Sequence, residues 1–277
     1  MVAWALVVDS LRRILPASND LAYTIAPGQG PYLALLHGFL SSSAQWMHNL
    51  QALGEVCTPV TIDLWGHGGS AAPEDPALYE PDAYVEALER IRLELNAERW
   101  FLCGYSLGAG ITIRYTHRYP SRVLGHLFTN SSSGFAPDDL AQKWRDEAEA
   151  SAAHILNGGR EAIERIAVHP KFAKRLPADI SAALVADAAA VSPLGIANTL
   201  RATTPNVSIR DIAESNPRPA LLCFGAHEKR FKAARDWAQD NMPQLSIAEL
   251  DAGHAVNIED SSGFNDAATR FIMQHSP

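Results

Sequence analysis

Short β-branched or apolar runs alternate with helix-length amphipathic stretches through most of this chain, and that alternation admits few architectures. It is the pattern of a mostly parallel sheet with helices on both faces. Residues 32–37, 58–63, 100–105, 123–129, 219–224 and 246–251 read as the central strands. Between two of them, residues 81–95 carry Tyr84, Val85, Leu88, Ile91 and Leu95 on one helical stripe with charges opposite. The apolar run at residues 1–8 has no basic flank and no small-residue cleavage pattern, so it reads as a first strand and not as a signal peptide. The expected fold class is doubly wound α/β, and 277 residues suffice for one such domain with an insertion.

The alternation fails once. Residues 130–206 contain no strand pattern, only alanine-rich helical stretches such as 138–156 and 178–190. This reads as an all-helical lid inserted between the two parts of an α/β core, residues 1–129 and 207–277. Such an insertion would lie over the carboxyl ends of the strands, where open α/β sheets bind ligands.

Composition narrows the partners. A net charge of −8 with no basic cluster argues against nucleic acid, and no stretch is long and apolar enough to suggest a membrane span. A small-molecule substrate is the expected partner, and a homodimer is left open. Cys57, Cys103 and Cys223 fall at or near the expected strands, where free cysteine packs as a small apolar residue. Their spacing suits neither a disulfide framework nor a metal site, so no metal or cofactor is expected and a reducing, cytoplasmic setting is the default.

The chemistry centres on Gly104-Tyr105-Ser106-Leu107-Gly108, directly after a strand and directly before a helix-like stretch at 109–119. That context makes a nucleophile elbow, a turn so sharp that its serine is exposed in strained backbone geometry. A serine nucleophile needs a base, an orienting acid and oxyanion donors. The Leu107 N–H is one donor; the loop after His37-Gly38 supplies another, from Phe39 or, one residue on, Leu40. Residues 41–43 fit the start of a helix running to residue 53. His37 reads as a residue that holds its loop by hydrogen bonds.

Among ten histidines the base should follow a late strand, which selects His254 in Asp251-Ala252-Gly253-His254. His67 is the main rival but belongs to a structural turn, and His169, on the lid, reads as a packing or surface residue. The acid should close the loop after residues 219–224, where Glu228 stands; the competing candidates are Asp138 and Asp139. Glu259 reads as a helix-start charge. Leu40, Tyr105 and Trp144 are the expected substrate-binding side chains.

With those residues placed, the chain resembles the α/β-hydrolase superfamily: His37-Gly38-Phe39, the run from Asp63 to Ser70, Gly104 to Gly108 and Gly253-His254 match its landmarks in order and spacing. Within it, Gly225 to Phe231, Trp144 and His169-Pro170-Lys171-Phe172 are similar to the enzymes that make 2-succinyl-6-hydroxy-2,4-cyclohexadiene-1-carboxylate. Those synthases carry an arginine four residues after the serine, implied to grip a substrate carboxylate, and an aspartate as acid. This chain has Gly110 and Glu228, with Arg122, Arg145, Arg165 and Arg230 as replacement cations. The leading expectation is therefore a cofactor-independent serine hydrolase cleaving an ester, a lactone or a ketone-adjacent C–C bond. The alternatives are a synthase-like lyase that eliminates pyruvate and a non-catalytic small-molecule receptor on the same fold.

Overall fold

The computed structural model describes residues 12–14 and 19–277, so the strand expected at 1–8 lies outside the described residues. Among the described residues, eight strands form one sheet in the order β1-β2-β4-β3-β5-β6-β7-β8. They are β1 Arg12–Ile14, β2 Tyr23–Ile25, β3 Tyr32–Leu36, β4 Thr58–Ile62, β5 Trp100–Gly104, β6 Val123–Thr129, β7 Ala220–Gly225 and β8 Leu245–Leu250. From β4 to β8 every pairing is parallel, whereas β1 and β2 join antiparallel at one edge. All six expected strands are present within one residue at each end. The edge pair was not expected, because three-residue strands are too short to display a period of two.

The strand period sorts the core onto two faces. Ala34, Leu36, Val60, Ile62, Trp100 and Leu102 point one way, against Tyr84, Leu88 and Ile91 of helix Pro81–Glu94 and Ile111 and Tyr115 of helix Leu107–Arg118. Leu33, Leu35, Phe101 and Cys103 point the other way, against Leu50 and Leu53 and against Phe264, Phe271 and Ile272 of helix Ser261–His275. All three cysteines are buried and unpaired.

The helix expected to run to residue 53 is two short pieces, Ser43–Trp46 and Leu50–Gly54. The Asn257 side chain donates to the Gln45 carbonyl at 2.7 Å, and the Asn49 N–H closes a tighter turn on Trp46 instead. A long-range hydrogen bond has taken the acceptor that a continuing helix needs, and no local pattern reveals that.

Between β6 and β7 the chain is helical, with Asp138–Glu164, Ala178–Ala190 and Pro193–Asn198 as its main elements. The first outruns its expected end at 156, because the chain breaks at Gly159 (φ 55°, ψ −138°) and then resumes helically. Ala152, Ile155, Ile163, Val191 and Ile196 pack together with Leu40, so this segment rests its apolar side on the loop after β3. Val207 and Ile209 rejoin the cores of the sheet. No single helix among the described residues is long and apolar enough to cross a membrane.

Burial keeps several imidazoles neutral. It pushes the His126 pKa down to about 4, outweighing the Asn216 side chain, which pulls the other way; His67 drops to about 3 through burial and its neighbour His37, itself lowered by burial. The sign follows directly. Depressed histidine pKa values leave the unfolded chain binding more protons below pH ~6.5, so stability is complete above that pH and falls as pH drops toward 4, by at most about 1.4 kcal/mol per unit for each histidine. Urea midpoints between pH 7 and 5 should fall accordingly. His126→Leu should flatten the slope by one proton, and an unchanged slope would remove His126 from the account.

Candidate active site

Ser106 sits between β5 and helix Leu107–Arg118 with φ 52° and ψ −114°, a backbone conformation that costs a non-glycine residue about 1–3 kcal/mol. The turn closes because its flanks are bare. A Cβ on Gly104 would meet the Gly108 carbonyl oxygen at 2.4 Å, and one on Gly108 would meet the His37 carbonyl oxygen at 2.6 Å.

Three loops at the carboxyl ends of the strands meet over that turn. His254, four residues past β8, places Nε2 2.9 Å from Ser106 Oγ. Its Nδ1 lies 3.0 Å from both carboxylate oxygens of Glu228, three residues past β7. The Tyr105 ring packs on the imidazole at 5.4 Å between centroids. Asp138 and Asp139, the competing acids, stand exposed at the start of helix Asp138–Glu164. Burial raises the Glu228 carboxyl, but the bond to His254, its charge and the Asn130 side chain outweigh that and hold it below the usual glutamate value.

Two residues around this chain escaped sequence reasoning. Fully buried Asn130, directly after β6, donates to Glu228 Oε2 at 2.7 Å, while its Oδ1 accepts the Gly225 N–H at 3.1 Å. It ties the acid to the end of its own strand. Glu259 stands in the first turn of the short helix Val256–Glu259, as expected of a helix-start charge, and its carboxylate turns back to accept the N–H groups of Gly253 and Ala255 at 2.9 and 3.2 Å. It thereby brackets His254 and also pairs with Arg175 at 2.9 Å. An asparagine and a glutamate without a motif gave no local signal for either role.

On the other side of the serine, Leu107 opens its helix, so its N–H is one of those that no carbonyl of that helix reaches. The Leu40 N–H donates to His67 Nε2 at 3.2 Å, which commits it elsewhere. The loops themselves are held by neutral imidazoles. His67 Nδ1 donates to the Trp65 carbonyl at 3.0 Å; His37 donates through Nδ1 to the Gly38 carbonyl at 2.7 Å and accepts the Leu64 N–H through Nε2 at 3.0 Å.

A cavity of about 650 Å³ opens on Ser106, within the range of small-molecule sites. Phe39, Leu40, Tyr105, Leu107, Glu228 and His254 line it from the sheet side, and Trp144 and His169 from the helical segment. Of the four candidate arginines only Arg230 lines it; Lys174 and Arg175, which sequence reasoning passed over, do so as well. Arg145 donates to the Pro205 carbonyl, Arg165 pairs with Glu161, and Arg122 is exposed. Gly110 has no room for a side chain, since a Cβ there would lie 2.7 Å from the Val207 carbonyl oxygen.

The sequence of the α/β-hydrolase fold family matches over residues 31–214, more than half of the chain. A Bacillus subtilis protein provisionally assigned as a 2-succinyl-6-hydroxy-2,4-cyclohexadiene-1-carboxylate synthase is 26% identical over 270 residues, covering 93% of this chain and 97% of that one. Among solved structures, MenH from S. aureus superposes with a TM-score of 0.79 at 21% identity over 91% of this chain and 98% of its own. An epoxide hydrolase from Bacillus megaterium superposes with a TM-score of 0.77 at 21% identity over 95% and 100%. These matches and the eight-stranded sheet agree: the chain belongs to the α/β-hydrolase fold family.

Proposed function

We propose that this chain is a cofactor-independent serine hydrolase of small molecules, with Ser106 as nucleophile, His254 as base and Glu228 as orienting acid. The observation that carries the reading is the continuous hydrogen-bonded line from Ser106 Oγ through His254 to Glu228. His254 Nε2 takes the hydroxyl proton as Oγ attacks an acyl carbonyl, and returns it to the leaving group; Glu228 keeps the other nitrogen protonated and stabilises the imidazolium. The oxyanion is held by the amides of Leu107 and Phe39, the first at a helix N-terminus that favours negative charge. Residues 130–206 act as the lid over this cavity, with Trp144 against the substrate.

A second reading is a lyase that eliminates pyruvate, favoured by the near full-length similarity to the Bacillus subtilis protein. Against it stands Gly110, which excludes the arginine that the resemblance implies at that position. A panel of p-nitrophenyl esters of increasing acyl length, run beside an assay for pyruvate release on forming 2-succinyl-6-hydroxy-2,4-cyclohexadiene-1-carboxylate, separates the two. Ester turnover without pyruvate is expected, and pyruvate release at comparable kcat/KM would reverse the ranking.

A further inference from the structure

Glu259 reaches the backbone amides on both sides of His254. Its Oε2 accepts the Gly253 N–H at 2.9 Å and its Oε1 the Ala255 N–H at 3.2 Å, while its own N–H donates to the Ala255 carbonyl at 2.8 Å. A Cβ on Gly253 would crowd that carboxylate, at 3.0 Å from Oε1 and 3.1 Å from Oε2. The carboxylate is nearly buried, and among the described residues its cation partner is Arg175 of the helical segment, at 2.9 Å. The next residue, Leu176, packs in one cluster with Ile180, Leu184, Ala255 and Ile258. The same stretch of the helical segment therefore rests on the chain that follows His254.

The His254 ring must meet Ser106 Oγ at 2.9 Å and Glu228 at 3.0 Å at once, and a misplacement of about 1 Å can cost about a hundredfold in rate. One carboxylate that holds the amides before and after the histidine fixes where its side chain starts. A carboxylate so far out of water needs a counter-charge, and Arg175 supplies it from outside the sheet.

We propose that Glu259 is a positioning residue for the base, and that Arg175 makes its hold depend on the helical segment. The proposal rests on the hydrolase reading for the role of His254, but its test needs no acyl substrate. The probe is diisopropyl fluorophosphate, which modifies a base-activated serine and carries no charge for Arg175 to attract. Saturation kinetics of Ser106 modification, followed by mass spectrometry, separate the maximal rate from the half-saturating concentration.

Glu259→Gln, which offers one acceptor oxygen where the carboxylate offers two, should lower the maximal rate by about 10- to 100-fold and leave half-saturation within about twofold. Arg175→Met should lower the maximal rate by about fivefold, as much as a half-exposed pair supports, and Arg175→Lys should recover most of that. In the Glu259→Gln protein, adding Arg175→Met should cost almost nothing more, because the arginine acts through the carboxylate. A Glu259→Gln rate within about twofold of the parent, a loss confined to half-saturation, or an undiminished Arg175→Met effect in the Glu259→Gln protein overturns the proposal. If Glu259→Gln does not fold, the two Arg175 variants decide: a loss that lysine restores supports the proposal, and any other result overturns it. If the unmutated protein is modified at Ser106 but hydrolyses no ester, the hydrolase reading falls and the rates still decide Glu259. An unmodified Ser106 overturns both.

Discussion

Ser106→Ala should lower kcat on any accepted ester by roughly 10⁴ to 10⁶, leaving only what the oxyanion donors and binding contribute without a nucleophile. The same variant should unfold within about 0.5 kcal/mol of the parent, because the hydroxyl it removes meets only His254 and the open cavity. Alanine keeps a Cβ, so the strained φ of 52° is neither relieved nor worsened. Mass spectrometry after an organophosphate challenge supplies an independent reading: an adduct should form on Ser106 and vanish in the variant. Retention of a tenth of the activity would end the nucleophile assignment.

How much of this was legible in advance depended on whether the physics was local. The six strands of the parallel sheet announce themselves because both faces are buried, which forces near-continuous apolar runs such as Trp100-Phe101-Leu102-Cys103. The elbow is legible for a similar reason, since two glycines around a serine are a steric requirement of the turn. Chain order then singles out His254 and Glu228 without coordinates.

What could not be read is whatever depends on residues far apart in sequence. Asn130 meets Glu228 across 98 positions, and the Leu40 amide is taken by His67 across 27. The end of the helix Asp138–Glu164 was misjudged by a glycine pair at 158–159 that interrupts the helix without ending it. Local rules point to the candidate residues, and long-range contacts arrange the geometry in which they meet.

Glu228→Gln should lower kcat by up to about 10⁴ while preserving the fold, and Asn130 determines why. The carboxylate presents Oε2 to the Asn130 amide at 2.7 Å and both oxygens to His254 Nδ1 at 3.0 Å. Glutamine has one oxygen to offer. Asn130, a donor at that distance, draws that oxygen to the Oε2 position, which puts the glutamine NH₂ at the Oε1 position, also 3.0 Å from Nδ1. The NH₂ there competes with the oxygen for Nδ1 and favours an accepting ring nitrogen, which moves the proton to Nε2, and a protonated Nε2 cannot take the proton of Ser106. The loss is therefore of tautomer and not of position. Adding Asn130→Ala to Glu228→Gln should restore part of the activity, because the glutamine can then turn its oxygen toward the histidine. Glu228→Asp keeps the charge but shortens the reach by about 1.5 Å, and should be milder than the amide. A near-parental kcat for Glu228→Gln would remove this residue from the triad, and an absent rescue would remove Asn130 from the explanation.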